Sequence, residues 1–233
     1  MKIIIFYGLK RSGNHFILSS IMQHFKNSVH INNLFHLNYK NFMKHKQISI
    51  TKREKDHSLS GIKGADCVVL SLENRNINEK EIQKFIKNED DVNVVLLLRN
   101  PYNQLSSAWK IYNKDVEKVT PHLKMWSIYA RHFINENHDY DFIDIRILYD
   151  KFCTDEQYVK KVFEQLNINN IEFNKESTII YQKSSFNNGN HSRKCYGTLE
   201  DCIFHDDPDF LALFDINDRK NRFKGLWKKV LDK

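Results

Sequence analysis

The segment from Gly8 to His15 carries residue types that can hold a negatively charged group. It has the GxxxxG frame of a phosphate-binding loop and follows a short apolar run at residues 2–7. When such a loop joins a strand to a helix, successive backbone N–H groups and the helix N-terminus converge on an anion. Lys10, Arg11 and the hydroxyl of Ser12 can add charge and hydrogen bonds. The segment is therefore predicted to be an anion site, with an ordinary Gly-containing turn as the alternative.

The end of this loop differs from that of nucleotide kinases and NTPases. Asn14 and His15 stand where those proteins carry a phosphate-binding Lys and a magnesium-binding Ser or Thr. A metal-dependent phosphoryl transfer is therefore disfavoured, and a metal-free transfer is favoured. No metal site is predicted elsewhere, because the acidic residues near His191 and His205 lack the spacing of a ligand set.

A second candidate site begins at Arg99. This Arg follows an apolar run at residues 92–98, and Ser106 and Ser107 lie two turns into the helix predicted to begin at Pro101. In open parallel sheets, ligands bind at the carboxyl ends of the strands. The planar guanidinium of Arg99 can bind a phosphate, and Ser107 can donate to the same group. The alternative is an Arg that is solvated or ion-paired at the end of a strand.

These segments resemble motifs of the sulfotransferase superfamily, whose donor is 3′-phosphoadenosine 5′-phosphosulfate (PAPS). Gly8 to Phe16 is similar to the 5′-phosphosulfate loop, written PKSGTTW or RSGTTL. Leu98 to Trp109 is similar to the 3′-phosphate motif RNPKDVAVSYY, in which an Arg and the Ser eight residues later hold the 3′-phosphate. Residues 147–152 resemble the structural segment YEDL. The resemblance spans roughly residues 3 to 167, with the three motifs in family order.

The resemblance implies a P-loop NTPase-like fold, PAPS as the donor and 3′,5′-ADP (PAP) as its desulfated product. It assigns the 3′-phosphate to Arg99 and Ser107. A loose match to the family's RKGxxG segment adds Arg193 and Lys194. The implied contacts in the first loop are Gly8, Lys10, Arg11, Ser12, Gly13, Asn14 and His15.

The first loop departs from the family pattern at two positions. The two threonines that contact the 5′-phosphate are replaced by Asn14 and His15. That contact must then come from backbone N–H groups, from the Asn14 amide or from the His15 imidazole. Arg11 takes the place of the loop Lys, as in the RSG branch of the family.

Sulfuryl transfer needs the charge of the leaving phosphate neutralised and the acceptor hydroxyl deprotonated. Arg11 and Lys10 suit the first task. For the second, the resemblance points to Glu73, because related enzymes carry a catalytic His or Glu at the end of this strand. A surface or helix-capping role for Glu73 is the alternative, and His36 and His15 are rival bases because imidazole titrates near neutral pH.

Apolar runs without alternation, separated by helical periodicity, predict a parallel sheet covered on both faces. The expected fold is therefore α/β, a three-layer sandwich with a central parallel sheet. The predicted strands are residues 2–7, 67–72, 92–98 and 142–148, and the predicted helices are residues 16–25, a segment from Pro101, a segment after Thr120-Pro121, and residues 155–166.

Length and composition predict one domain across residues 1–233, with 41% hydrophobic residues to form a single core. Two polar stretches, at about 36–65 and 174–207, are expected to be surface insertions that contact the substrate. The cysteines at 67, 153, 195 and 202 show no CxxC spacing, so free thiols are expected. Without a secretory signal pattern or an apolar run of about 18 residues, a soluble, cytoplasmic protein is predicted.

The net charge of +7 predicts attraction to an anionic partner. Nucleic acid is disfavoured, because the Lys residues are spread along the chain and no binding motif accompanies them. The predicted function is transfer of a sulfuryl group from PAPS to a hydroxyl of a small molecule or glycan. A P-loop kinase with a degenerate loop, or a nucleotide-binding module without turnover, remain the alternatives.

Overall fold

A parallel sheet forms the centre of the molecule. The computed structural model describes residues 1–32, 34–46, 62–135, 142–168, 204, 206–215 and 219–233. Within these ranges the sheet has five strands in the order β2-β3-β1-β4-β5, and all neighbouring strands are parallel. The strands are β1 (Lys2–Gly8), β2 (Ser28–Ile31), β3 (Cys67–Glu73), β4 (Val92–Leu98) and β5 (Ile145–Leu148).

Helices connect the strands and cover the sheet. In the described ranges they are α1 (Asn14–Met22), α2 (Tyr39–Lys46), α3 (Glu79–Asn88), α4 (Pro101–Ile111), α5 (Val116–Ile134), α6 (Tyr149–Thr154), α7 (Glu156–Gln165), α8 (Pro208–Asp215) and α9 (Arg219–Leu231).

Each face of the sheet has its own hydrophobic core. Along β1, Ile3, Ile5 and Tyr7 pack with α2 to α5, α8 and α9, whereas Ile4 and Phe6 pack with α1, α6 and α7. Because both faces are buried, the strand needs apolar residues at every position, which explains its lack of alternation. The predicted α/β fold with three layers and a central parallel sheet is confirmed.

The strand register brings the candidate site residues to one edge of the sheet. At the end of β1, Gly8 pairs with Glu73 of β3 on one side and with Leu97 of β4 on the other. Arg99 follows the last residue of β4 directly. The loops after β1 and β4 therefore begin next to each other, at the edge where parallel sheets bind ligands.

Of the element boundaries that differ from those predicted, two have a clear structural cause. Helix α5 begins at Val116 rather than after Pro121, because the Asp115 side chain caps its first turn, and Pro121 near its start forgoes one backbone hydrogen bond. Strand β5 begins at Ile145 rather than at residue 142. Just before it, Asp144 is held to Val94 of β4 by its N–H at 3.0 Å and by its carboxylate at 2.7 Å.

Among the described elements, strand β2 and helices α2, α3, α6, α8 and α9 were not predicted from the sequence. The short edge strand β2 has only one fully buried residue, Ile31, so its pattern was too weak to detect. Helix α2 lies within the predicted insertion at 36–65, and its Phe42 is part of the core beside Phe85 of α3. The described part of this stretch therefore includes a helix that packs on the core through Phe42.

Cys67 is buried in β3 and Cys153 is half-buried in α6, and both are free thiols. The cysteines at 195 and 202 lie outside the described residues, as does most of the stretch 174–207. Among the helices that the structure describes, no span is both long and apolar enough to cross a membrane.

Candidate anion-binding site at the carboxyl edge of the sheet

The first loop is tied to the end of β3. Asn74, directly after β3, accepts a hydrogen bond from the backbone N–H of Lys10 at 2.7 Å and donates its own N–H to the Gly8 carbonyl at 3.1 Å. Arg11 and Gly13 adopt left-handed backbone conformations with φ of 71° and 93°. These dihedrals turn the chain sharply between β1 and α1, as a phosphate-binding loop requires.

The side chains of Ser12 and Asn14 point into the loop. The Ser12 hydroxyl lies 2.6 Å from the Leu9 carbonyl and 2.8 Å from Asn14 Oδ1. Asn14 Nδ2 donates to the Leu9 carbonyl at 3.1 Å and to Glu73 Oε1 at 2.7 Å. Both side chains are buried. The two side chains are thus hydrogen-bonded to each other, to the Leu9 carbonyl and to Glu73.

Helix α1 begins at this loop without a side-chain cap, since its N-cap is Gly13. The first N–H groups of a helix have no acceptor within the helix, and its N-terminus favours negative charge. His15 lies in the first turn, and its ring packs edge-on against the ring of His30 in β2, with the centroids 5.9 Å apart. Burial, with a smaller contribution from His15, lowers the pKa of His30 to about 3.

The second loop is held by the start of α4. The side chain of Asn100 accepts hydrogen bonds from two first-turn N–H groups, at 2.9 and 3.3 Å, and the helix begins at Pro101 as predicted. Asp150, at the start of α6, accepts from the Asn100 N–H at 2.8 Å. The carbonyl of Arg99 accepts from Trp126 Nε1 at 2.8 Å. These contacts fix the backbone from which the Arg99 side chain extends.

The two loops meet through side chains. Arg11 Nε donates to Ser107 Oγ at 3.1 Å, and Arg99 Nη1 donates to the Arg11 carbonyl at 3.0 Å. Gln104 Nε2 donates to the Lys10 carbonyl at 3.2 Å. The structure thus brings together Lys10, Arg11, Arg99 and Ser107, all of which were predicted from the sequence to lie in one site.

Arg99 packs against an aromatic ring and has one donor without an acceptor in the part of the chain that the structure describes. Its guanidinium carbon lies 4.7 Å from the centroid of the Tyr149 ring. Its Nε is buried and has no hydrogen-bond partner among the described residues. The same Tyr149 ring packs against Gly13, where a Cβ atom would overlap it. A buried guanidinium N–H without an acceptor suits a ligand oxygen.

The site has an excess of positive charge. Burial and the neighbouring Arg99 lower the pKa of Arg11, whereas Glu73 and Tyr112 act in the opposite direction. Among the described residues, neither Arg11 nor Arg99 forms a salt bridge with a carboxylate. Two partly buried guanidinium groups side by side repel each other, and an anion between them would remove this repulsion.

Glu73 lies at the edge of this site. It is the last residue of β3, beside Gly8 in the strand register, and its Oε1 accepts from Asn14. His36, one rival base, is exposed, with its ring 4.5 Å from that of Phe35. His15, the other, is half-buried at the start of α1.

Three residues that shape the site were missed in the sequence. Asn74 and Gln104 hold the first loop through Lys10, and the Tyr149 ring supports both Gly13 and Arg99. Asn74 adopts a left-handed conformation with φ 54°, which Asn tolerates better than most residues, so an Asn directly after a buried strand was a usable signal.

Arg193 and Lys194 lie outside the described residues, as do His191 and His205. Among the side chains that are described, no three His, Cys, Asp or Glu residues are grouped as metal ligands would be.

No family model matches the sequence, and no curated protein matches it either. A crystal structure of mouse sulfotransferase SULT7A1 complexed with PAP aligns with 100% of this chain and with 85% of the mouse chain. The sequence identity is 12% and the TM-score is 0.48. An overlap at this level supplies no argument for function, which must rest on the residues of the site.

Proposed function

We propose that this protein transfers a sulfuryl group from PAPS to a hydroxyl acceptor without a metal ion. The observation that carries the proposal is the junction of the two loops, in which Arg11 and Arg99 lie together with Ser107 between the ends of β1 and β4. A donor with phosphate groups on both the 3′ and 5′ positions suits two cationic loops that share one edge of the sheet.

The first loop would hold the 5′-phosphosulfate end of the donor. The N-terminus of α1 offers backbone N–H groups, and Lys10, Arg11 and His15 supply cationic or hydrogen-bonding side chains. In this assignment the imidazole takes over from the family's loop threonines, because Asn14 is engaged with Leu9 and Glu73.

The second loop would hold the 3′-phosphate. The buried Nε of Arg99 has no acceptor among the described residues, so a phosphate oxygen would complete its hydrogen bonding. Ser107 Oγ accepts from Arg11 and keeps its own proton to donate. These two groups fit the extra phosphate that distinguishes PAP from 5′-AMP.

PAPS supplies a sulfuryl group whose sulfur forms a bond to the acceptor oxygen while its bond to the 5′-phosphate oxygen breaks. Glu73 would accept the proton of the acceptor hydroxyl, since its carboxylate borders the first loop and Asn14 fixes the position of one oxygen. Arg11 and Lys10 would neutralise the charge that develops on the leaving phosphate.

A comparison of ligands tests this proposal. PAP should raise the melting temperature of the protein, because a ligand that binds only the native state stabilises it by mass action. The shift should be the same with EDTA and with magnesium, and ATP should give a smaller shift in both. A shift by ATP that requires magnesium, with none from PAP, would favour a P-loop kinase. PAP binding without any transfer from PAPS to a broad panel of hydroxyl compounds would favour a binding module.

A further inference from the structure

A second cationic group lies beside the cofactor loops, outside the residues assigned to PAPS. Arg75 follows β3 by two residues, and its guanidinium carbon lies 4.2 Å from the centroid of the Phe35 ring. The ring of His36 packs edge-on against Phe35. We refer to Phe35, His36 and Arg75 as the Arg75 cluster.

Hydrogen bonds involving the backbone hold the cluster to α5 and to β3. The carbonyl of Arg75 accepts a hydrogen bond of 2.7 Å from the hydroxyl of Tyr129, a fully buried residue of α5. The N–H of Leu34, just before Phe35, donates to the Ser71 carbonyl of β3 at 2.8 Å. The Arg75 side of the cluster is therefore attached to α5 and the Phe35 side to β3.

Phe35 and Arg75 are unusual in their exposure and in their hydrogen bonding, respectively. Phe35 is 65% exposed, more than any other large hydrophobic residue in the described part of the chain. Arg75 Nε is buried without a hydrogen-bond partner among the described residues, and Arg75 forms no salt bridge there. An exposed aromatic ring beside an Arg that has no carboxylate partner among the described residues is an arrangement suited to an acidic ring compound.

The position of the cluster relates it to the proposed chemistry. Glu73 lies two residues before Arg75, and Asn74 between them turns the chain with φ 54°. Asn74 also holds Lys10 of the first loop. Arg75 is thus the next residue after the side chain that holds the first loop, and both Arg75 and the proposed base Glu73 act electrostatically on the buried hydroxyl of Tyr129.

We infer that the Arg75 cluster is an acceptor subsite for a ring-shaped hydroxyl compound that carries a carboxylate, such as an acidic sugar. The carboxylate pairs with Arg75, the ring packs on Phe35, and a hydroxyl at the other end of the molecule reaches Glu73. The inference rests on the proposed function for the fate of that hydroxyl, but the subsite itself is defined by binding alone.

A matched pair of ligands tests the subsite without any nucleotide. Calorimetry would compare 4-nitrophenyl β-D-glucuronide with 4-nitrophenyl β-D-glucoside, which share both rings and differ in the carboxylate. The wild-type protein should bind the glucuronide about tenfold more tightly or better, as expected for one charge-assisted pair. Arg75→Met should abolish this preference, and Phe35→Ala should weaken both ligands by similar factors.

Two further variants test the geometry of the pair and control for the loss of charge. Arg75→Lys keeps the charge but loses the planar fork, so it should keep only part of the preference. Arg131→Met removes the same charge from an exposed position in the last turn of α5 and should leave the preference unchanged. Equal affinities of the two ligands for the wild type, or a preference that survives Arg75→Met, would overturn the inference.

PAP affinity, measured on the same samples, separates this inference from the proposed function. A glucuronide preference that depends on Arg75, in a protein that does not bind PAP, would leave the subsite standing and reject the PAPS assignment. PAP binding in a protein that does not distinguish the two sugars would do the reverse.

Discussion

Arg11 and Ser107 are 96 residues apart in the chain and are joined by a hydrogen bond of 3.1 Å from Nε to Oγ. Arg99 also donates a hydrogen bond to the Arg11 carbonyl. These two hydrogen bonds join the two loops into a single site. A substitution in one loop can therefore change the shape of the other. Comparing PAP with 5′-AMP, which lacks the 3′-phosphate, separates the contribution of the second loop from that of the first.

Arg99→Ala is expected to remove most of the preference for PAP over 5′-AMP. The wild type should favour PAP by about tenfold or more, because charge-assisted hydrogen bonds to the 3′-phosphate contribute roughly 1.5–3 kcal/mol each. Calorimetric titrations with both nucleotides measure the preference. Ser107→Ala should reduce it by a smaller factor, since the hydroxyl is uncharged.

The affinity for 5′-AMP serves as the internal control for Arg99→Ala. It should change little, because the first loop keeps its own contacts to Asn74 and Gln104. If both affinities fell together, Arg99 would support the shape of the first loop through the Arg11 carbonyl rather than bind the 3′-phosphate.

The sheet was predictable because its central strands are buried on both faces. The buried residues 94–98 leave no polar position to suggest a different structure, and loops after such strands must share the carboxyl edge. Strand β2 escaped prediction because an edge strand of four residues with one fully buried side chain has no distinctive pattern. Helix α2 was not predicted because its sequence is mostly polar and contributes few residues to the core, of which Phe42 is one.

Residue types at the site were predictable, but the directions of their side chains were not. Ser12 matches the family motif and Asn14 replaces one of its threonines, and the side chains of both form hydrogen bonds within the loop. In this loop Arg11 and Gly13 adopt left-handed conformations, and the hydrogen bond from the Lys10 N–H to Asn74 ties the loop to the end of β3. Such a contact between residues 64 apart cannot be read from local spacing.

Gly13→Ala is expected to destabilise the protein by about 1–3 kcal/mol, the usual cost of a strained backbone residue. Its φ of 93° disfavours any side chain, and a Cβ would overlap the Tyr149 ring. Urea unfolding measures the loss. Gly225→Ala is the matched control, because this helical glycine has open space around its Cα, and it should gain roughly 0.5–1 kcal/mol. Equal effects of the two substitutions would contradict the described loop geometry.

Acid is expected to destabilise the fold partly through His30. Burial lowers the pKa of this ring to about 3, so between pH 6.5 and pH 5 the unfolded chain takes up a proton that the native protein does not. The free energy of unfolding should therefore decrease as the pH is lowered from 6.5 to 5, by up to about 2 kcal/mol for this residue. Urea unfolding at pH 7 and at pH 5 measures the difference.

His30→Leu should remove this part of the pH dependence because leucine cannot be protonated. His132, whose pKa is lowered to about 4 by burial and by Arg146, would retain its own share. Val29→Ala, on the same strand, should lower stability by the same amount at both pH values. A pH dependence that is unchanged in His30→Leu would show that the ring is protonated equally in the native and unfolded states.

Glu73→Gln is expected to lower turnover by a factor on the order of 10²–10⁴, the usual range for loss of a positioned proton acceptor. The substitution keeps an oxygen that can accept from Asn14 Nδ2, so the first loop should keep its shape and its affinity for PAP. Release of PAP from PAPS in the presence of a hydroxyl acceptor measures turnover, and calorimetry measures PAP binding. Glu79→Gln, which changes an exposed carboxylate in the first turn of α3, should leave both unchanged.

Near-normal turnover in Glu73→Gln would transfer the role of base to His15 or His36, which His15→Asn and His36→Gln would then distinguish. A collapse of PAP affinity would instead make Glu73 the residue that holds Asn14, and through it the loop, in place.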